Sequence, residues 1–329
     1  MAVIYYDSLE DGAPQMTSSG TSGNYTMKIN EILEATLVNG FNGKPGLGWT
    51  KEFVSELEGS DRTVYKNKSA YDDDLFLLVQ SDAAYASQIK LQIAESCASP
   101  EQYSGYSSVA AIRQQTAGNQ RWHVIGDERT MILIFYSETS ANQGRSSSHN
   151  PVAVYVGDFD TQGSPYSKGW GIVCPSLQSG NLDGVHVGDS VGSLGFDKNT
   201  KPSTAVSRPV TQMPGIPWSL DTIPCYFDAF FARVTESFTG TNLALTHADF
   251  EPNVQLKSPW HIILDKKYIY RMRGIFCLYP FLCHINSGYN RNWAIKTTVH
   301  GQGYLPLDFK STSSYWVPML TYIQTTGDW

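Results

Sequence analysis

The chain has 329 residues, of which 41% are apolar and only 17% charged, against about a quarter charged in ordinary soluble domains. Its 24 Lys and Arg face 31 Asp and Glu, a net charge of −7. No cationic run is longer than Lys266 and Lys267, which argues against a surface built to neutralise phosphates.

A low-charge chain with 28 Gly and 19 Tyr reads as β-rich, and it is long enough to bury a core without disulfide or metal staples. The expected class is mainly β, as a sandwich or barrel-like sheets, with one amphipathic helix near the start and long loops. The organisation is a single β-rich unit over 1–329 or two subdomains: 1–160 with the helix, then 161–329, a loop-rich insertion followed by a C-terminal β part. No stretch approaches the roughly 18 apolar residues of a membrane span. Residues 1–7 lack the basic and apolar regions of a signal peptide, so the chain is expected to be made soluble and to stay where it is made or leave by lysis.

In chain order, the helix comes first. Over 26–39 the apolar residues Ile29, Ile32, Leu33 and Leu37 fall at helical spacing, with Asn24 as a cap and Gly40 as the stop. Residues 74–80 form a near-continuous apolar run suited to a central strand, and 87–93 alternate with period two. Residues 121–125 and 130–136 flank a short turn containing Gly126, the best hairpin signal in the chain. A strand over 152–156 follows a polar loop. Between 163 and 217, Gly, Ser, Pro and Thr recur with short apolar runs between them, which reads as long loops with short strands. Strand patterns return at 225–234, 260–264, 267–271, 292–296 and 315–323, with Pro318 pointing to an edge or bulge.

Candidate chemistry is sparse. Asp72, Asp73 and Asp74 lack the Gly and distal Glu of a calcium loop and read as a solvated turn. Asp158 and Asp160, two apart on a strand, are the spacing a carboxylate pair for glycan hydrolysis would use, though acidic turn residues after a strand are the commoner case. Cys277, Cys283 and His284 have no second ligand pair and read as buried structural groups. His123 and His261, each following a Trp at a strand start, read as structural histidines. Asn67 with Ser69 is a formal glycosylation sequon that needs a secretory route. Tyr103 and Tyr106 among small polar neighbours suit either an adaptable contact surface or ordinary strand usage. No catalytic, cofactor-binding or metal-binding residue is assigned, and no cofactor is expected.

Several phrases together resemble a family. Val3-Ile-Tyr-Tyr-Asp-Ser8, Gly12-Ala-Pro14, Leu37-Val-Asn-Gly-Phe41 and Lys44-Pro-Gly-Leu-Gly-Trp-Thr-Lys51 form one block. Val64-Tyr-Lys-Asn-Lys68 and Leu75-Phe-Leu-Leu-Val-Gln-Ser-Asp82 follow, then Trp122-His-Val-Ile-Gly-Asp-Glu-Arg-Thr130 and Val156-Gly-Asp-Phe-Asp160. Arg273-Gly-Ile-Phe-Cys-Leu-Tyr279 and Gln324-Thr-Thr-Gly-Asp-Trp329 complete the set. Taken in order, these are similar to an uncharacterised virion structural protein family of tailed bacteriophages. Cys277 stands where that family has proline, and the region from about 165 to 255 matches little.

The resemblance implies a non-enzymatic particle component that self-associates and docks onto the tail, baseplate or neck, ahead of capsid decoration. Expected partners are copies of itself and neighbouring virion proteins, with no direct nucleic acid and no membrane span. The alternative is a virion-borne glycan-binding module or glycan hydrolase meeting host-surface glycan. Localisation is expected in the virion, after synthesis in the host cytoplasm.

Overall fold

The computed structural model describes residues 2–16, 25–57, 61–70, 74–81, 88–113, 120–137, 152–161, 170–174, 177–178, 181–183, 205–207, 223–224, 226–227, 257–264, 268–278, 297–299, 302–308 and 320–329. Asn24, Asp72, Asp73, Cys283, His284, Pro318 and the expected strand over 292–296 lie outside them, as does most of 225–234.

The described chain is strand-rich with one short helix, as its alternating and β-branched segments dictate. In order, the strands are β1 (Ile4–Asp7), β2 (Thr50–Val54), β3 (Thr63–Lys66), β4 (Phe76–Ser81), β5 (Gln88–Ser99), β6 (Gln102–Tyr106), β7 (Val109–Arg113), β8 (Gln120–Gly126), β9 (Thr130–Ser137) and β10 (Val152–Thr161). Then come β11 (Trp170–Cys174), β12 (Leu177–Gln178), β13 (Ala205–Ser207), β14 (Ile223–Pro224), β15 (Tyr226–Phe227), β16 (Lys257–Leu264), β17 (Tyr268–Leu278), β18 (Thr297–Val299), β19 (Gln302–Asp308) and β20 (Leu320–Gln324). Helix α1 (Tyr25–Leu33) continues into a wider π-helical segment, Glu34–Asn39.

Two antiparallel sheets result. The larger runs β1-β8-β9-β10-β17-β20-β19-β18, with β11, β13, β14, β15 and β16 joined off this path. The smaller runs β12-β7-β5-β4-β3-β2, with β6 on β5. The larger sheet therefore takes strands from both sides of residue 160, through the pairing of Phe159 with Met272 and of Asp160 with Arg271. The hairpin read from sequence is β8 and β9, in register from Gln120 opposite Ser137 to Gly126 opposite Met131.

The sheets share a core with the helix. Ile29, Ile32, Leu33 and Leu37, the four residues at helical spacing, are all wholly buried there with Leu77, Val79, Ile89, Leu91, Trp122, Leu133 and Val154. A second cluster, Val64, Leu78, Ala94, Val109 and Leu182, fills the other face of the smaller sheet. That explains the unbroken apolar run in β4: Leu77 and Val79 face one core and Leu78 the other.

The helix ends as its sequence requires. The Gly40 amide donates to Ala35 at 2.7 Å, and the loop after it returns to satisfy the last carbonyls. The Leu47 amide donates to Thr36, and those of Gly48 and Trp49 to Leu37, so the loop takes up carbonyls that a helix end leaves without partners. Pro259 sits beside a register shift in the β16–β17 pair, where a residue without an amide hydrogen is tolerated.

Candidate functional site

The polar centre of the molecule lies under the turn of the β8–β9 hairpin. Asp127 makes that turn by folding its carboxylate back onto it. Its Oδ1 accepts from the amides of Arg129 at 2.9 Å and Thr130 at 3.0 Å, the local bonding for which Asp is favoured in turns. The same carboxylate receives Arg273 from β17: Nη1 reaches Oδ1 at 3.0 Å and Nη2 reaches Oδ2 at 2.6 Å. Both side chains are buried, so this is a fork-on-fork ion pair held out of water.

Both terminal nitrogens of the guanidinium make further bonds, while its buried Nε makes no hydrogen bond. Nη1 donates to Thr130 Oγ1 at 2.9 Å, and Nη2 to the main-chain oxygen of Trp329 at 3.3 Å. Nε lies 3.8 Å from Asp160 Oδ1. Burial alone disfavours the charge on Arg273, but the hydrogen bonds and negative charge of Asp127 outweigh it and hold the guanidinium above its ordinary pKa.

Asp158, on β10, forms a second buried centre alongside. Its Oδ2 accepts from Arg129 Nε at 2.8 Å and the Ala70 amide at 2.9 Å, and its Oδ1 accepts from Ser69 Oγ at 3.0 Å. Burial pushes its carboxyl above the ordinary range against the pull of these donors. The main-chain oxygen of Asp158 accepts from Thr130 Oγ1 and from the Tyr155 hydroxyl, which in turn accepts from the Arg273 amide at 3.3 Å. Thr130 and Tyr155 thereby join the two centres into one network. Burial raises the Tyr155 hydroxyl pKa, so it stays a donor.

Close backbone approaches lock the arrangement. Gly157 has φ +136°, and a Cβ there would stand 2.4 Å from the Arg129 carbonyl oxygen. Gly274 has φ +70°, and its missing Cβ leaves the space into which the Trp329 ring packs, 2.1 Å from where that atom would be. The Trp329 indole donates to Gln324 O at 3.0 Å, and the Trp49 indole donates to the Asp127 carbonyl at 3.1 Å. Asn67 donates to Arg129 O and accepts from the Leu75 amide, each at 2.9 Å.

The structure therefore spends the candidate residues on one another. Each carboxylate oxygen of Asp127 and Asp158 holds at least one donor from the chain itself. Asp158 and Asp160 face different guanidinium groups, those of Arg129 and Arg273, rather than a shared cleft. The sequon residue Asn67 is 3% exposed and committed to the turn beneath it. Chemically the centre is an internal cross-link between the hairpin turn, β10, β17, the segment 67–70 and the segment ending at Trp329.

Other candidates fall elsewhere. His123 is buried on β8, its Nδ1 3.0 Å from the Tyr5 hydroxyl, which also donates to Asp7 at 2.9 Å. Asp74 pairs with Lys66 at 2.7 Å before β4. Tyr103 and Tyr106 meet edge to face on the smaller sheet, and the Arg62 guanidinium lies over Tyr103 at 5.5 Å. Among the described residues no group of three or more His, Cys, Asp or Glu stands close enough to hold a metal ion. No helix among them is long and apolar enough to cross a membrane.

Sequence reading passed over Arg273 and Asp127 as partners, because 146 positions separate them. The one available signal was that both lie in segments carrying the family resemblance. In comparisons with known proteins, no protein-family model matches the chain and no curated protein matches it.

Proposed function

We propose that this chain is a structural component of a tailed-bacteriophage particle, which self-associates and docks onto the tail, baseplate or neck. One observation carries the reading. The short segments that resemble the virion family are scattered along the sequence, yet Trp49, Asn67, Asp127, Arg129, Asp158, Arg273 and Trp329 from those segments converge on one buried network. Unrelated short likenesses have no reason to meet in space, whereas segments that specify one fold do. Because these residues are committed to holding shape, the work of the protein falls to its outer surfaces, through contacts with further copies and neighbouring virion proteins.

A glycan hydrolase using Asp158 and Asp160 has less to stand on, since the Asp158 side chain is wholly buried and both carboxylates face internal guanidinium groups.

The test is immunogold labelling of purified particles with antibody against the recombinant chain, alongside mass spectrometry of the same particles. Label at a fixed position, with the chain present in stoichiometric amount, is the expected result. Absence of the chain from intact particles overturns the proposal. Alanine at Asp160 addresses the alternative directly: loss of a measured glycan-hydrolytic activity with particle assembly intact would restore it.

A further inference from the structure

The chain places asparagine directly before glycine twice, Asn39 with Gly40 and Asn42 with Gly43. A glycine in that position has no Cβ to shield its amide nitrogen from the asparagine side chain, so both pairs carry the same intrinsic chemistry. The fold treats them differently.

Asn39 ends the π-helical segment, and the Gly40 amide is spent on the Ala35 carbonyl at 2.7 Å. Backbone packs tightly around Gly40: a Cβ there would stand 2.1 Å from the Lys44 carbonyl oxygen and 2.7 Å from the Gly46 nitrogen. Asn42 and Gly43 form the tip of the next turn. Both are exposed, with φ of 52° and 73°, the pair of positive angles for which Asn-Gly is favoured in a tight turn. A single bond closes this turn, from the Lys44 amide to the Phe41 carbonyl at 3.0 Å. The Gly43 amide donates to no group among the described residues, and a Cβ at 43 would meet nothing within 4 Å.

We propose that Asn42 is a site of spontaneous deamidation in the folded protein, while the fold protects Asn39. The Gly43 nitrogen gives its proton to hydroxide and bonds to Cγ of Asn42. The Cγ–Nδ2 bond breaks, and the nitrogen leaves as ammonia after taking a proton from water. A second water then opens the five-membered succinimide at one of its two carbonyls, giving aspartate or isoaspartate. Isoaspartate routes the main chain through the former side chain and lengthens it by one carbon. The turn so altered positions Lys44, whose Nζ bonds to the Tyr5 carbonyl at 2.7 Å and to Glu10 at 2.5 Å. It also positions Phe41, whose ring lies 4.8 Å from that of Tyr6. Ageing at Asn42 therefore loosens the hold of this loop on β1.

The two pairs serve as controls for each other. The full chain is held folded at mildly alkaline pH and, in parallel, unfolded in guanidinium chloride. Both samples are followed by peptide mapping that separates asparagine, aspartate and isoaspartate. Unfolded, the two asparagines should react at similar rates. Folded, Asn42 should react and Asn39 should lag by at least about fivefold, the factor that one main-chain hydrogen bond carries. Asn39 matching or outrunning Asn42 in the folded chain overturns the proposal, as does reaction of neither while both react unfolded. The aged chain should also unfold at lower urea than Asn42→Asp aged alongside it, whose main chain starts unaltered; equal midpoints overturn the loosening of β1.

Discussion

Arg273 on β17 and Asp127 in the β8–β9 turn are 146 positions apart in sequence and joined by two contacts of 3.0 and 2.6 Å in a place almost without water. A pair of this kind adds little net stability over a well-packed apolar pair, because desolvating both charges offsets their attraction. Breaking it from one side is another matter. Asp127→Ala leaves a buried guanidinium with only a hydroxyl, a carbonyl and the more distant Asp160 carboxylate at 3.8 Å, and should cost about 3–5 kcal/mol in urea unfolding. Arg273→Met with Asp127→Leu should cost clearly less than the two single changes added together. Equal or additive costs would mean that the two charges are solvated in solution.

Trp329 and Gly274 allow a cleaner geometric test. A Cβ at position 274 would stand 2.1 Å from the Trp329 ring, at a backbone angle of +70° that favours glycine. Gly274→Ala should therefore displace the indole and cost about 2–3 kcal/mol, of which about 1 is backbone strain. In a Trp329→Ala background only the strain remains, so the same change should cost about 1 kcal/mol. Calorimetric midpoints of the four chains give the coupling, and a coupling of zero would show that the ring does not rest there.

Much of this architecture was legible in the sequence, and the limits have physical causes. The helix was readable because Ile29, Ile32, Leu33 and Leu37 bury on one face and Gly40 ends it. Its widening into a π-helical segment was not, since that depends on the returning loop at Leu47, Gly48 and Trp49. Two strand-like runs flanking the Gly126 turn showed the hairpin, but nothing local distinguishes Asp127 from any other turn aspartate. Its importance comes from Arg273, which arrives from another strand. Asp158 and Asp160 show the limit from the other side: spacing left a hydrolytic pair open as the lesser reading, and only burial and partner choice, which no local pattern carries, tell the two carboxylates apart.

Asp158 and Asp127 should respond differently to loss of charge. Burial holds the Asp158 carboxyl above its ordinary pKa, so the folded environment disfavours its charge relative to water. Asp158→Asn keeps an acceptor for Ser69 or the Ala70 amide, and Arg129 is partly exposed to water. The expected cost is about 1 kcal/mol, well below that of Asp127→Asn, whose partner Arg273 is buried. Parallel urea titrations of the two variants decide it; an Asp158→Asn cost equal to that of Asp127→Asn would show that Arg129 depends on this carboxylate as fully as Arg273 does on its own.

His123 makes acid sensitivity a property of the fold. Burial, opposed by the charge of Asp7 and aided by that of Arg121, lowers its pKa from 6.5 to about 4. The unfolded chain therefore binds a proton between these values that the folded chain refuses, and stability rises with pH across that window. This histidine's contribution is complete above about pH 6.5 and is lost as pH falls toward 4, by at most about 3 kcal/mol. Tyr5 stacks on the ring and bonds to its Nδ1, which keeps the neutral imidazole in place. His123→Gln should retain a polar partner for Tyr5 and flatten the unfolding midpoint between pH 6.5 and 4.5 while lowering stability at pH 7.5. Denaturant midpoints at half-unit pH steps for both proteins measure this directly. Parallel pH profiles would assign the acid sensitivity to the carboxylates instead, and would mean that the imidazole is free to take its proton in the folded state.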